Sequence, residues 1–208
     1  MKIGFCAALL VVLLPAPALA DTLYPGSNSS GFITRLGKGV KEIGLDSMLV
    51  VGYDKAGGAS SLRASLLTGP TFRYLVIDNL SIAVNASFLM KHASGAGSAS
   101  QFDIGGMGTV SAGYNASLGG GMFIEPVLGV GGFYGRRTTG SDPGAVRTSI
   151  FGGTGSLGLM LAFYPSGHFS VRAGPQAVVS FGRSKGDAGG ETFLSTDAGF
   201  SVGLSYVF

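Results

Sequence analysis

The stretch Leu194 to Phe208, LSTDAGFSVGLSYVF, alternates between two residue classes along its whole length. Its even positions, Leu194, Ala198, Phe200, Val202, Leu204, Tyr206 and Phe208, are apolar apart from Thr196. Its odd positions from Ser195 to Ser205 are small or polar. A period of two held over that distance is a β-strand whose two faces meet different surroundings. Such a strand requires neighbours of similar length, because each of its backbone N–H and C=O groups needs a partner.

The preceding chain offers seven more segments with the same period. Their apolar registers run Ile43 to Tyr53, Leu62 to Tyr74, Leu80 to Met90, Phe102 to Tyr114, Met122 to Tyr134, Phe151 to Phe163 and Phe169 to Phe181. Tight connections follow the second, fourth and sixth segments, with turn-forming residues such as Asp78-Asn79 and Pro165-Ser166-Gly167-His168. The other connections, DKAGGAS, HASGAGSAS, Arg136 to Thr148, and SKGDAGGE, read as longer loops. Eight strands with alternating short and long connections predict an all-β fold, an eight-stranded antiparallel up-and-down transmembrane β-barrel. Pro70, Pro126 and Pro175 fall inside strands and predict local bulges, since each lacks a donor for the ladder.

Alternation alone fits a soluble barrel as well, so the side facing lipid has to be argued separately. No Asp, Glu, Lys or Arg occupies the apolar register of any of the eight segments. A charge there would cost roughly 2 to 4 kcal/mol near the midplane of a bilayer. Charged residues make up only 12% of the chain against about 25% for soluble domains, which leaves too few to coat a water-facing sheet. The other register is mostly Gly, Ser and Thr with a few charges, as a narrow interior requires. Aromatic residues of the apolar register gather at the strand ends. Phe72, Tyr74, Tyr114, Phe163, Phe169, Tyr206 and Phe208 mark one end and Tyr53, Phe88, Phe102, Tyr134, Phe151 and Phe181 the other, predicting two interfacial girdles.

Residues 1–20, MKIGFCAALLVVLLPAPALA, have a basic start, a short apolar run and an Ala18-Leu19-Ala20 site, and read as a cleaved signal peptide. Residues 21–42 have no clear period and read as a periplasmic lead-in, with a short helix around Phe32 to Leu36; the barrel occupies 43–208. Cys6 lies within the signal, so the processed chain offers neither a disulfide nor a thiolate metal ligand. Without Lys2 the formal charge is 13 basic less 11 acidic groups, or +2. The basic residues are scattered, which excludes a nucleic-acid footprint.

The stretches KEIGLDSMLVV (Lys41 to Val51) and GPTFRYLVIDNLSIAVNASF (Gly69 to Phe88), with the terminal SVGLSYVF, resemble the bacterial outer-membrane protein β-barrel domain family. That resemblance implies residence in a Gram-negative outer membrane. It also implies that Phe200, Val202, Leu204, Tyr206 and Phe208 are the signal presented to the barrel-assembly machinery. It supplies no catalytic residue and implies no cofactor.

Eight charges fall in the inward register: Asp46, Arg63, Arg73, Lys91, Asp103, Glu125, Arg172 and Asp197. Isolated charges in a narrow lumen are costly, so they are expected to pair. A packed polar core and a gate that re-pairs to open a conduit both satisfy that requirement. Arg136, Arg137 and Arg147 in the longest loop predict a basic rim suited to lipopolysaccharide phosphates, solvated loop charges being the alternative. An enzyme acting on lipid would need a nucleophile and a base at one rim. His168-Phe169-Ser170 and His92-Ala93-Ser94 are the nearest approaches, and neither has a placed acid. Gly153 to Gly158 spells G-x-G-x-x-G, but inside an alternating strand and not between a strand and a helix. The expectation is a monomeric membrane barrel with a structural or surface-interaction role, in contact with outer-membrane lipid and lipopolysaccharide. A narrow gated pore and a lipid-modifying enzyme are the alternatives.

Overall fold

A computed structural model describes residue 33 and residues 35–56, 59–95, 98–140, 145–186 and 189–208. The alternating segments form long antiparallel strands, β1 (Lys41–Ala56), β2 (Ala59–Ile77), β3 (Leu80–Gly95), β4 (Ser98–Tyr114), β6 (Met122–Thr139), β7 (Val146–Ser166), β8 (Phe169–Gly186) and β9 (Gly189–Val207). A four-residue stub, β5 (Ala116–Gly119), continues the line of β4 along β6. Each long strand pairs with its sequence neighbour, β4 pairs with β6, and β1 pairs with β9 from Glu42↔Val207 to Val51↔Ala198. The sheet is therefore a closed ring of eight staves, which leaves no unpaired edge.

The ninth strand traces to one proline. The β4–β6 ladder stops at Gly113↔Val127 and resumes as β5–β6 at Ala116↔Ile124, bracketing Pro126. Likewise the β2–β3 ladder skips Pro70 and the β7–β8 ladder skips Pro175, in both cases without a change of register. The bulges expected at these prolines are absent; register shifts lie instead at Leu75/Ile77, Ala93/Gly95, Ser117/Gly119 and Phe163/Ser166. Gly69 and Gly174, each just before a proline, show how the gaps are tolerated. A Cβ on Gly69 would collide with the Ala86 carbonyl and one on Gly174 with the Leu159 carbonyl, so the bare backbone lets the strands draw together there.

Three of the segments expected as long outer loops are mostly strand, with β1 running to Ala56, β3 to Gly95 and β8 to Gly186. The longest also shrinks, since β6 ends at Thr139 and β7 begins at Val146. A ladder continues on backbone hydrogen bonds after the apolar pattern has stopped, which is why the pattern understated the strands. At the other end β1 starts at Lys41, two residues before the apolar register begins. The expected helix near Phe32 to Leu36 is not formed by the described residues there, Ile33, Arg35 and Leu36. Residues 1–20, read as a signal peptide, lie outside the described residues.

Burial is inverted relative to a water-soluble protein. Leu45, Leu128 and Leu157 are 62%, 65% and 62% exposed, while Glu42 and Glu125 are 0% exposed. Both girdles face outward with the apolar belt, including Phe72, Tyr114, Phe163, Phe169 and Tyr206 at one end and Phe88, Phe102, Tyr134, Phe151 and Phe181 at the other. The Tyr53 side chain lies outside the described part.

Candidate functional site

Behind the belt the lumen is built in layers, beginning with a floor at the end where β1 starts and β9 stops. Ile33, Leu36 and Val40 pack against Leu75, Phe123, Ala162, Tyr164 and Val207 in a buried apolar cluster. The segment carrying them is strapped to the β2–β3 turn. Leu36 donates its N–H to Asn79 Oδ1 at 3.2 Å and accepts from Asn79 N–H at 2.9 Å. Gly39 N–H donates to the Leu75 carbonyl, and Leu75 N–H to the Val40 carbonyl, both at 2.9 Å. Asn79 has φ +62°, in the left-handed region that Asn tolerates. Asp78 accepts from Lys38 N–H at 2.9 Å and pairs with Arg35. The Lys38 amide, with Arg35 beside it, holds the Asp78 carboxyl below its ordinary range.

Above this floor two acids and two arginines form a closed ring. Arg172 Nε donates to Glu125 Oε2 at 3.0 Å, and its Nη2 donates to Glu42 Oε1 at 2.9 Å. Arg73 pairs with Glu125 through Nη1, and its Nε lies 3.8 Å from Glu42 Oε2. Tyr164 donates its hydroxyl proton to Glu42 at 2.8 Å and accepts from Arg172. Ser81 donates to Glu125 at 3.1 Å, and Ser170 to Glu42 at 3.4 Å. Each carboxylate is therefore shared by both guanidinium groups, and the ring is neutral. Gly113 is required for this arrangement, because a Cβ there would strike the Glu125 carboxylate.

A cavity of about 120 Å³ follows, lined among others by Asp46, Thr71, Thr154, Met160 and Gln176, large enough for several waters. Asp46 faces it from β1, closely packed over Gly203. Next comes an apolar septum: Met48, Val50 and Leu67 with Leu89, Met107 and Val178 packed against them. Beyond the septum a second cavity of about 70 Å³ is walled by Lys91, Asp103, Arg137, Phe133, Phe193 and Asp197. Here four of the charges pair two by two. Arg63 Nη2 is 3.0 Å from Asp197 Oδ1, and Arg137 donates to both oxygens of Asp103 at 2.9 Å while lying over the Phe193 ring at 5.5 Å. Lys91 stands opposite Asp103 in the β3–β4 register.

All eight inward charges expected from the sequence thus lie in the lumen, Asp46 at the cavity between and the others at two levels, and not in one network. Two partners were missed. Glu42 precedes the first apolar residue, yet it shares the register of Gly44 and Asp46, and counting back by two from Asp46 would have found it. Arg137 was placed on the outer rim, and the structure corrects this. The strand continues past Gly135, so alternation turns Arg136 out and Arg137 in. Arg136 and Arg147 do face outward. In the terminal strand Phe200, Val202, Leu204 and Tyr206 lie on the belt. Phe208 exchanges hydrogen bonds with Lys41 at 2.8 and 2.9 Å, its ring 6.3 Å from that of Tyr206.

Neither histidine enters a catalytic arrangement among the described residues. Ser170 gives its proton to Glu42 inside the lumen, whereas His168 stacks on Tyr206 at 5.9 Å. His92 and Ser94 face outward near the other end of β3. The described residues hold no group of three or more His, Cys, Asp or Glu side chains that could bind a metal ion. Gly153 to Gly158 lie within β7.

No protein-family model matches the sequence, and neither does any curated protein. Among solved structures, the outer membrane protein OprG from Pseudomonas aeruginosa is similar at a TM-score of 0.52 and 16% identity, over 83% of this chain and 97% of that one. Neisserial surface protein A aligns at 0.47 and 14% identity, over 81% of this chain and 99% of that one. The translocator domain of the autotransporter NalP from Neisseria meningitidis aligns at 0.44 and 17% identity, covering 91% of this chain but 65% of that one. The likeness to OprG shows that the fold is that of an outer-membrane β-barrel.

Proposed function

We propose that the chain is an integral protein of the Gram-negative outer membrane, non-enzymatic, monomeric and closed, with a structural or surface-interaction role. On this reading it is exported behind residues 1–20, and the barrel-assembly machinery reads Phe200 to Phe208. The supporting observation is the pairing of an uncharged belt outside with a lumen blocked twice inside, by the Glu42–Arg172–Glu125–Arg73 ring and by the Met48–Leu67 septum. The belt has to meet hydrocarbon, since thirty or more large apolar side chains cannot face water on a stable monomer. Ions crossing the lumen would have to part both blocks, and opening the ring strands buried charges.

The narrow gated pore differs from this reading in one measurement. Purified protein in a planar bilayer is expected to give no stepwise conductance at neutral pH. Reproducible steps would replace the closed barrel with the pore. Heat-modifiable migration on a gel tests the membrane barrel itself, independently of conductance.

A further inference from the structure

Four cations stand on the outside of the barrel within three adjacent strands: Arg136 on β6, Arg147 on β7, and Arg183 and Lys185 on β8. All four are exposed. Arg136, Ser149 and Lys185 form one cross-strand row, with Arg147 one row further out and Arg183 one row nearer the belt. Strand spacing puts the backbones of Arg136 and Lys185 about 10 Å apart, with Arg147 and Arg183 displaced by about 7 Å along the strands. Arg183 shares its row with Phe151 and Tyr134, so the cluster begins at the aromatic girdle, the level of lipid headgroups. Its guanidinium lies over Gly190, one row outward, where a Cβ would come within 2.8 Å of Nε. That is the snorkelling direction, away from hydrocarbon.

Among the described residues the cluster has no counter-charge on its own face: no outward-facing Asp or Glu occurs there on β6, β7, β8 or β9. Among the described outward residues the gathering is on one side: the outer ends of β3 and β4 present His92, Ser94 and Ser100. A general attraction to anionic membrane would not need the charge gathered on three strands. Beneath the cluster Gly108, Gly132 and Gly153 form one row of the belt, open at Gly108, where a Cβ would meet nothing within 4 Å, and covered by the Phe181 ring at Gly153.

We infer that Arg136, Arg147, Arg183 and Lys185 form a docking surface for an outer-leaflet glycolipid bearing more than one phosphate, with its acyl chains laid along the apolar belt below them. A single phosphodiester would engage one or two of these cations. Phosphates set apart on a sugar headgroup engage the spread of the cluster, which suits Arg in particular through two-pronged contacts. The inference rests on the outer-membrane placement proposed above and not on the closed lumen.

The test uses nanodiscs of phosphatidylcholine containing diphosphorylated lipid A, with lipid retained per barrel after detergent exchange counted by mass spectrometry. The unaltered protein is expected to retain lipid A. Each of Arg136→Gln, Arg147→Gln, Arg183→Gln and Lys185→Gln should lower retention about fivefold, and the four together should abolish it. These side chains face outward, and heat-modifiable migration verifies folding of each variant. Unchanged retention in the fourfold variant overturns the inference, as does equal retention of phosphate-free lipid A or of phosphatidylglycerol. Failure of the unaltered protein to insert into any of these bilayers would instead overturn the membrane placement.

Discussion

The two charged levels of the lumen use the same residue types and solve the problem of burial differently. In the lower level each glutamate is shared by two arginines, backed by Tyr164, Ser81 and Ser170, and both carboxylates are fully buried. In the upper level Arg63–Asp197 and Arg137–Asp103 are separate pairs beside a cavity, and every side chain but the buried Asp103 remains partly exposed. Sharing makes the lower level a single unit in which losing one member leaves two others short of a partner. Pairing leaves the upper level modular, with water able to make up part of any loss. The lesson is that a balanced charge count does not describe a lumen; the connectivity of the charges decides what one substitution does.

The comparison is broken most directly at Glu42. Glu42→Ala strips Arg172 and Arg73 of a shared acceptor in a dry site and is expected to cost about 3 to 5 kcal/mol, read from urea unfolding in lipid vesicles. A cost below about 1 kcal/mol would show that the ring re-pairs freely and is not a unit. At the upper level Asp197→Asn is expected to cost only about 1 to 2 kcal/mol in the same assay, because water reaches the pair. An effect as large as that of Glu42→Ala would erase the distinction between the levels. The smallest effect belongs to the floor. The folded-state carboxyl of Asp78 titrates below its unfolded value, so its contribution is present above the unfolded value and is lost as pH falls through the folded one. Protection of the Lys38 and Gly39 amides against exchange, taken relative to their intrinsic rates at each pH, should therefore fall on acidification below the ordinary carboxylate range while staying constant from there to neutrality. In Asp78→Asn the same amides should show no such pH dependence.

The barrel was legible in the sequence because its cause is simple: period-two alternation with no charge in one register leaves only lipid for that face. The inward charges were legible by the same count. Glu42 and Arg137 were not, because both lie just beyond the last apolar residue that makes the period visible, while the backbone ladder runs on. Tyr164 was hidden differently. It adjoins Phe163, which marks the girdle, and only the register separates the aromatic that faces lipid from the one that donates to Glu42. The strap, Ile33 and residues 35–40, had no signal at all, since its described residues pack at the mouth as irregular chain. Prolines did leave a trace, but the response to Pro126 was a split strand and not a bulge, a choice made by the neighbouring stave.

The β1–β9 seam has a consequence for timing. It joins segments from opposite ends of the described chain, and Lys41 and Phe208 lock its margin through two backbone hydrogen bonds. Every other long junction joins strands that are near neighbours along the chain and can zip from a hairpin or a short connection, whereas this one must wait for both flanks of the sheet to curve round and meet. The rate of maturation should accordingly be set at that junction, and until it shuts the molecule carries two raw margins able to accept a strand from elsewhere.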